Sequence, residues 1–93
     1  MVVLIVEIEL FLPGALSLKD KRQTVKSVVE RIRSHCHASV AEVGFQDLWQ
    51  RSQIGIAIVA GERTVLENQI NIICRILDDT AAIETVAFHT DYV

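Results

Sequence analysis

The stretch that decides the fold is VVLIVEIELFL, Val2 to Leu12, which is almost wholly apolar. It predicts a β-strand, which Pro13 and Gly14 bring to an end. Because successive strand residues point to opposite faces of a sheet, alternate side chains are expected to face the helices, namely Leu4, Val6, Ile8 and Leu10. The other face is then expected to carry Val3, Ile5, Glu7, Glu9 and Phe11.

Outward from this strand, the pattern alternates between helices and strands. Ser17 is expected to cap a helix, with Asp20 three residues on in the capping-box position. That helix is expected to run to about Ser34, with an apolar stripe at helical spacing made of Leu18, Val25, Val28, Val29 and Ile32. The remaining elements are expected to be a strand from His37 to Val43, a turn from Gly44 to Leu48, a strand from about Trp49 to Ala60, a helix from Gly61 to about Asp78 with a core face of Leu66, Ile70, Ile73 and Leu77, and a strand from Ile83 to Tyr92.

This β-α-β-β-α-β order predicts an α+β, ferredoxin-like fold. Right-handed crossovers place four strands in one antiparallel sheet in the order 4-1-3-2, with both helices on one face. The length of 93 residues fits a single domain over residues 1–93.

Composition limits the cellular locations in which the protein is expected. The hydrophobic share of 51% and the mean hydropathy of +0.35 indicate a complete core or a buried subunit interface. No window approaches the ~18 apolar residues of a membrane span, so no membrane partner is expected. The opening stretch lacks a basic flank and a cleavage site, so it is interpreted as a strand rather than a signal peptide, and a cytoplasmic location is expected. Cys36 and Cys74 are then expected to be free thiols.

Charge is distributed unevenly along the chain. Residues 17–34 hold six basic and two acidic residues, a net of +4, while the remainder holds three basic and ten acidic residues, a net of −7. An acidic body argues against coating by nucleic acid, which depends on phosphate neutralisation. The basic residues 17–34 nevertheless form one local surface that is expected to attract anions.

The topology brings two polar segments to one end of the sheet. Strand 1 ends where the hairpin between strands 2 and 3 turns, so PGALSLKDKR and GFQDLWQR are expected to meet there, beside the turn from Asp78 to Ala82. We predict that this end binds a partner or an anion through Ser17, Lys19, Lys21, Arg22, Lys26, Glu42, Asp47, Trp49, Gln50 and Arg51. The helix start adds free N–H groups and a positive dipole.

Each of these residues also has a structural interpretation. Trp49 either covers the edge of the sheet or contacts a partner, with its ring expected against the stem of Lys19 or Arg22. The basic residues form either a solvated helix face or a functional patch. Glu42, if it points inward, needs a partner such as Lys21 or Arg51, and that pair would be structural first.

The segments LPGALSLKDKR and SVAEVGFQDLWQRSQIGIAIV resemble the YlxP-like family of small bacterial proteins, which is classed as a domain of unknown function. The resemblance covers nearly the whole chain and implies the same ferredoxin-like fold. The motif positions that the resemblance implies are Ser17, Leu18, Lys19, Lys21, Arg22, Glu42, Asp47, Trp49, Gln50 and Arg51. The family has no established activity, but its genes often lie beside those for transcription elongation, translation initiation and ribosome maturation, which implies work with RNA or the ribosome. The Gly44-Phe45 turn departs from the polar pair expected there.

No arrangement in the sequence predicts catalysis, a metal or a cofactor. His35, Cys36 and His37 are adjacent, and adjacent strand residues point to opposite faces, which fits zinc poorly. Neither cysteine has a context that would lower its pKa, and no glycine-rich phosphate loop is present. We therefore expect a protein that is not an enzyme, with no catalytic residue, metal or cofactor.

The open face of the sheet is expected to be apolar and flat in its lower half and charged in its upper half. Strand 3 would add Gln53, Gly55, Ala57 and Val59 to it, without the aromatic residues that stack bases on an RNA-binding sheet. We therefore predict a homo-oligomer, with a dimer favoured, that associates through Val3, Ile5, Ala57 and Val59. The resulting hypothesis is an RNA- or ribosome-associated binding module. The alternatives are a small-anion-binding enzyme or sensor at the start of helix 1, and a structural protein–protein adaptor.

Overall fold

The computed structural model describes residues 1–93 of the chain. Its elements are β1 (Val2–Phe11), α1 (Leu18–Cys36), β2 (Ser39–Gly44), β3 (Arg51–Ala60), α2 (Arg63–Asp78) and β4 (Glu84–Tyr92). The strands form one four-stranded sheet in the order β2-β3-β1-β4, and every pair is antiparallel. The predicted α+β ferredoxin-like architecture and strand order are confirmed.

β1 lies at the centre of the sheet because its inward side is continuously apolar. It pairs with β3 from Val2↔Ala60 to Phe11↔Arg51 and with β4 on its other side. The four predicted inward residues of β1 have no exposed surface, and Ile54, Ile56 and Ile58 of β3 are buried beside them. Residues of both helices complete this core, including Val28, Ile32, Leu66 and Ile73.

Local capping sets the start and the end of α1. The Ser17 Oγ accepts a hydrogen bond from the Asp20 amide at 3.1 Å, as the capping box requires. The Asp20 carboxylate accepts from the Leu16 amide at 3.0 Å, one residue before the usual partner. The helix continues two residues beyond the expected end, because Cys36 extends the buried stripe and His37, at φ 49°, supplies the left-handed cap.

Several sequence expectations about the elements are wrong in detail. α2 begins at Arg63 rather than Gly61, and β4 begins at Glu84 rather than Ile83. β2 begins at Ser39 rather than His37, because His37 ends the helix. Trp49 lies in the loop before β3, which begins at Arg51. The buried stripe of α1 includes Lys21, which the apolar pattern omitted, while Leu18 is only half-buried.

Candidate binding surface at the end of the sheet

The loop after β1 and the β2–β3 loop are hydrogen-bonded to each other, as the topology predicted. The Leu12 amide donates to the Gln50 carbonyl at 2.9 Å. The Gln50 side-chain amide donates in return to the carbonyls of Pro13 at 3.1 Å and Ala15 at 3.3 Å. We call this region, residues 12–22 together with residues 45–50, the top end of the sheet.

Lys21 lies wholly inside the top end. Its side chain has no exposed surface, and its Nζ donates to the carbonyls of Phe45 at 2.9 Å and Gln46 at 3.0 Å, with the Arg51 carbonyl at 3.4 Å. The Glu42 Oε2 lies 3.0 Å from the same Nζ. Burial of a lysine is costly unless it is paired and hydrogen-bonded, and these four oxygens meet that need.

Glu42 also binds the one other buried polar side chain of the core. The Ser52 Oγ donates to its Oε2 at 2.6 Å, and Ser52 has no exposed surface. A β-bulge between Glu42 and Gly44 shifts the register of β2 immediately after the carboxylate. The interpretation that an inward Glu42 pairs with Lys21 is confirmed by this geometry.

Arg51 lies on the open face of the sheet, opposite α1. Its guanidinium is 4.0 Å from the centroid of the Phe45 ring and 3.0 Å from the Glu9 Oε1. Both interactions are partly solvent-exposed, so each contributes ~1 kcal/mol or less. Arg51 therefore does not add its charge to the start of α1.

The exposed residues of the top end form a second group together with Lys26, one helical turn further along α1. Lys19, Arg22 and Lys26 are exposed at positions i, i+3 and i+7 of α1, which places them on one stripe of the helix. Asp47 is exposed, and Trp49 is 54% exposed. Cations lie over the rings of Phe45 and Tyr92, and neither the Lys19 ammonium nor the Arg22 guanidinium lies over the ring of Trp49.

The structure thus divides the ten predicted residues into those that contact other groups of the chain and those that do not. Ser17, Lys21, Glu42, Gln50 and Arg51 already bind other groups of the chain. The other five remain exposed to solvent, namely Lys19, Arg22, Lys26, Asp47 and Trp49. The prediction missed Ser52, Phe45 and the exposed Leu16 and Leu48. For Ser52 a signal existed, since it lies two residues before Ile54 and so shares the inward face.

The start of α1 is poorly suited to a small anion. Asp20 places a carboxylate in the first turn, where it accepts the Leu16 amide. The Asp20 amide is in turn bound to Ser17. The Asp20 carboxylate already interacts favourably with the positive end of the helix dipole, and its negative charge repels a second anion.

The cysteines and the histidines beside Cys36 lie away from the candidate surface. Burial raises the pKa of the Cys36 thiol, and burial followed by the nearby charge of Asp78 raises the pKa of Cys74. Both cysteines are free, and the His35 Nδ1 lies 2.8 Å from the Arg31 carbonyl. The chain contains no group of three or more His, Cys, Asp or Glu residues that could hold a metal ion. None of its helices is both long and apolar enough to cross a membrane.

The fold and this surface define a class, a ferredoxin-like α+β domain with a basic and aromatic patch at one end of its sheet. Two de novo designed proteins have similar solved structures. One, Foldit4, has a TM-score of 0.58 at 13% identity, covering 98% of this chain and 96% of its own. The other, LFR1 with ferredoxin fold, has a TM-score of 0.55 at 15% identity, covering 100% and 84%. These likenesses show the fold alone.

Sequence comparison shows the family. The model described as "Protein of unknown function (DUF503)" matches residues 3–90, and the chain belongs to this family. The uncharacterized protein YlxP of Bacillus subtilis (strain 168) is 33% identical over 86 residues, which span 92% of this chain and 94% of that protein.

Proposed function

We propose that this protein is a non-enzymatic cytoplasmic module that binds RNA, in the setting of the ribosome, through the top end of its sheet. The observation that carries the proposal is the exposed stripe of Lys19, Arg22 and Lys26 on α1, with the exposed Trp49 on the loop that docks against the same helix. Basic residues neutralise phosphates, and an aromatic ring stacks an unpaired base.

The rest of the charge supports binding at this end. Outside residues 17–34 the chain has a net charge of −7, which repels phosphate. Positive charge is therefore concentrated on α1, and a polyanion is drawn toward this helix rather than toward the acidic remainder of the chain. Because Trp49 supplies a single ring, single-stranded or looped RNA fits better than a duplex, whose bases are stacked inside.

Binding is tested with a fluorescently labelled single-stranded RNA of mixed sequence, whose anisotropy is measured across a range of salt concentrations. The triple variant Lys19→Gln, Arg22→Gln, Lys26→Gln is expected to lower the salt slope by about 2, since each phosphate contact on a single strand contributes ~0.7. Trp49→Ala is expected to weaken binding by a factor of ~5–150, the worth of one base stacked on an aromatic ring.

The matched control is Arg75→Gln, which removes an exposed charge from α2 and should leave affinity close to that of the wild type. Equal affinities and equal salt slopes for the wild type, the triple variant and Trp49→Ala would overturn the proposal. Binding to an acidic protein but to no RNA would favour the adaptor alternative instead.

A separate observation supports self-association, and we propose a second copy of the chain as the occupant of the open face. The cross-strand pairs Val3↔Val59 and Ile5↔Ala57 form the apolar half of this face, and the core residues of both helices pack against the opposite face. Ile5 is 36% exposed and Val59 61% exposed, and the neighbouring Val43 is 55% exposed.

The open face is large enough for a dimer interface. A face of four strands up to ten residues long measures ~33 Å by ~19 Å, or ~600 Å². That is the lower end of the ~600–1,000 Å² per partner found in stable interfaces.

Sedimentation over a range of protein concentrations tests this second surface. The wild type is expected to form a dimer, and Ile5→Lys is expected to give a folded monomer. Val65→Lys is the control, since Val65 is an exposed valine of α2, 46% exposed, on the other side of the molecule. A wild type that stays monomeric at high micromolar concentration would exclude this interface.

A further inference from the structure

We infer that Lys21 is a positioning residue for the RNA surface: its caged ammonium group fixes the loop of residues 45–50 on α1 and so sets where Trp49 stands relative to Lys19 and Arg22. The inference rests on the proposed function for its biological meaning. The cage itself is a feature of the fold that can be tested without RNA.

The acceptors around Lys21 come from every part of the hairpin. Glu42 belongs to β2, Phe45 and Gln46 to the loop, and Arg51 to the first residue of β3. A single ammonium group on α1 thus holds both strands and the loop between them. Lysine suits this task because its three N–H donors rotate freely about one point, whereas a planar guanidinium would not reach converging carbonyls in the same way.

Neutralisation of Glu42 does not explain the cage by itself. Three of the four oxygens around the Nζ are backbone carbonyls, and Glu42 has a further partner in Ser52. An ion pair with Glu42 alone would not require the carbonyls of the loop to point toward the Nζ. The carbonyls are therefore what Lys21 holds, and the carboxylate balances its charge.

The backbone of the loop also indicates an imposed conformation. Phe45 has φ 57°, in the left-handed region that an aromatic residue adopts rarely and at a cost. Its carbonyl accepts from Lys21 and from the Leu48 amide, while Arg51 lies over its ring. Such a conformation persists where surrounding contacts determine it, and Lys21 supplies the only one of these contacts that comes from α1.

Trp49 lies between two of the held carbonyls, three residues after Gln46 and two before Arg51. Its neighbour Gln50 is bound to the loop after β1. A ring that is 54% exposed therefore stands on backbone that is anchored on both sides. Preorganisation of this kind lowers the entropy lost when the ring stacks on a base.

The experiment removes the cage without leaving a buried charge unpaired. In the double variant Lys21→Met, Glu42→Gln both charges are gone, so the fold is expected to survive, since apolar replacement of a buried pair is often neutral. Trp49 is the only tryptophan, so its fluorescence anisotropy reports the mobility of the loop directly. We expect lower anisotropy, amide exchange at residues 45–50 at least ~10-fold faster than in the wild type, and RNA affinity reduced at least ~10-fold.

The matched control is Glu42→Gln alone, which keeps the three bonds from Lys21 to the carbonyls and should keep the wild-type anisotropy. A folded double variant with wild-type anisotropy and exchange would overturn the inference and leave Lys21 as a counterion of Glu42. If the wild type binds no RNA, the proposed function fails, while anisotropy and exchange still decide whether Lys21 holds the loop.

A measurement on the unaltered protein covers a double variant that fails to fold. In a ¹⁵N,¹³C-labelled sample the Lys21 ammonium group should exchange slowly with water and show couplings across hydrogen bonds to the carbonyl carbons of Phe45 and Gln46. An ammonium signal as labile as that of the exposed Lys19 would overturn the inference.

Discussion

The first two turns of α1 present two flanks built from the same kind of residue. On one flank Lys19 and Arg22 are exposed, and on the other Lys21 is fully buried against the hairpin. Two residues of helix correspond to a rotation of ~200°, so lysines this close in sequence face nearly opposite directions. The comparison teaches that a run of basic residues is not one surface, because its members divide between binding the chain itself and facing solvent.

The largest expected difference between the two flanks is in stability. Lys21→Met should lower the free energy of unfolding by ~3–5 kcal/mol, because it leaves three inward carbonyls without a donor and the half-buried Glu42 carboxylate without its cation. Lys19→Met should change it by less than ~0.5 kcal/mol, as exposed substitutions usually do. Urea unfolding of both variants measures the contrast, and equal losses would show that the buried flank is not special.

Glu42→Gln should produce a smaller loss than Lys21→Met. Glu42→Gln removes the counter-charge of the buried ammonium, but Lys21 keeps its three carbonyl acceptors and the Gln oxygen can still accept from Ser52. We expect ~1.5–3 kcal/mol from the same urea measurement. A loss larger than that of Lys21→Met would place the main contribution in the carboxylate rather than in the carbonyl cage.

Gln50→Ala should have a smaller effect on stability than either change to the Lys21–Glu42 pair. Its amide holds the hairpin to the carbonyls of Pro13 and Ala15 near the surface, without a buried charge. Its removal should cost ~1 kcal/mol of stability. Trp49 anisotropy should fall less than in the double variant of Lys21 and Glu42, and an equal fall would show that Gln50 anchors the loop as strongly as the cage does.

The smallest expected effect lies at the other end of the buried flank, at Cys36. Burial raises the pKa of its thiol above the unfolded value of ~8.5, so its contribution to stability is complete below that pH. The contribution is lost as the pH rises through the folded-state pKa. Stability should therefore fall less between pH 7 and pH 10 in Cys36→Ala than in the wild type. Parallel curves for the two proteins would contradict this.

The sequence by itself determined the architecture. The alternation in β1 and β3 settled which side chains are buried, and the order of elements settled which loops meet at the top end, as the Gln50 bonds show. These patterns are local and periodic, and solvent exclusion enforces them everywhere along an element. The family could also be identified from short motifs, since these extend over most of the chain.

Only the tertiary structure decided what the charged residues do. The helical period places Lys21, four residues before Val25, on the buried stripe and Lys19 off it, but the carbonyls of Phe45 and Gln46 that accept from the buried ammonium come 24 and 25 residues later in the chain. Likewise Arg51 could be assigned to α1 or to Glu9 until the face of β3 was known. The physical reason is that the cost of burying a charge depends on oxygens brought together by folding from distant segments, and periodicity carries no record of them.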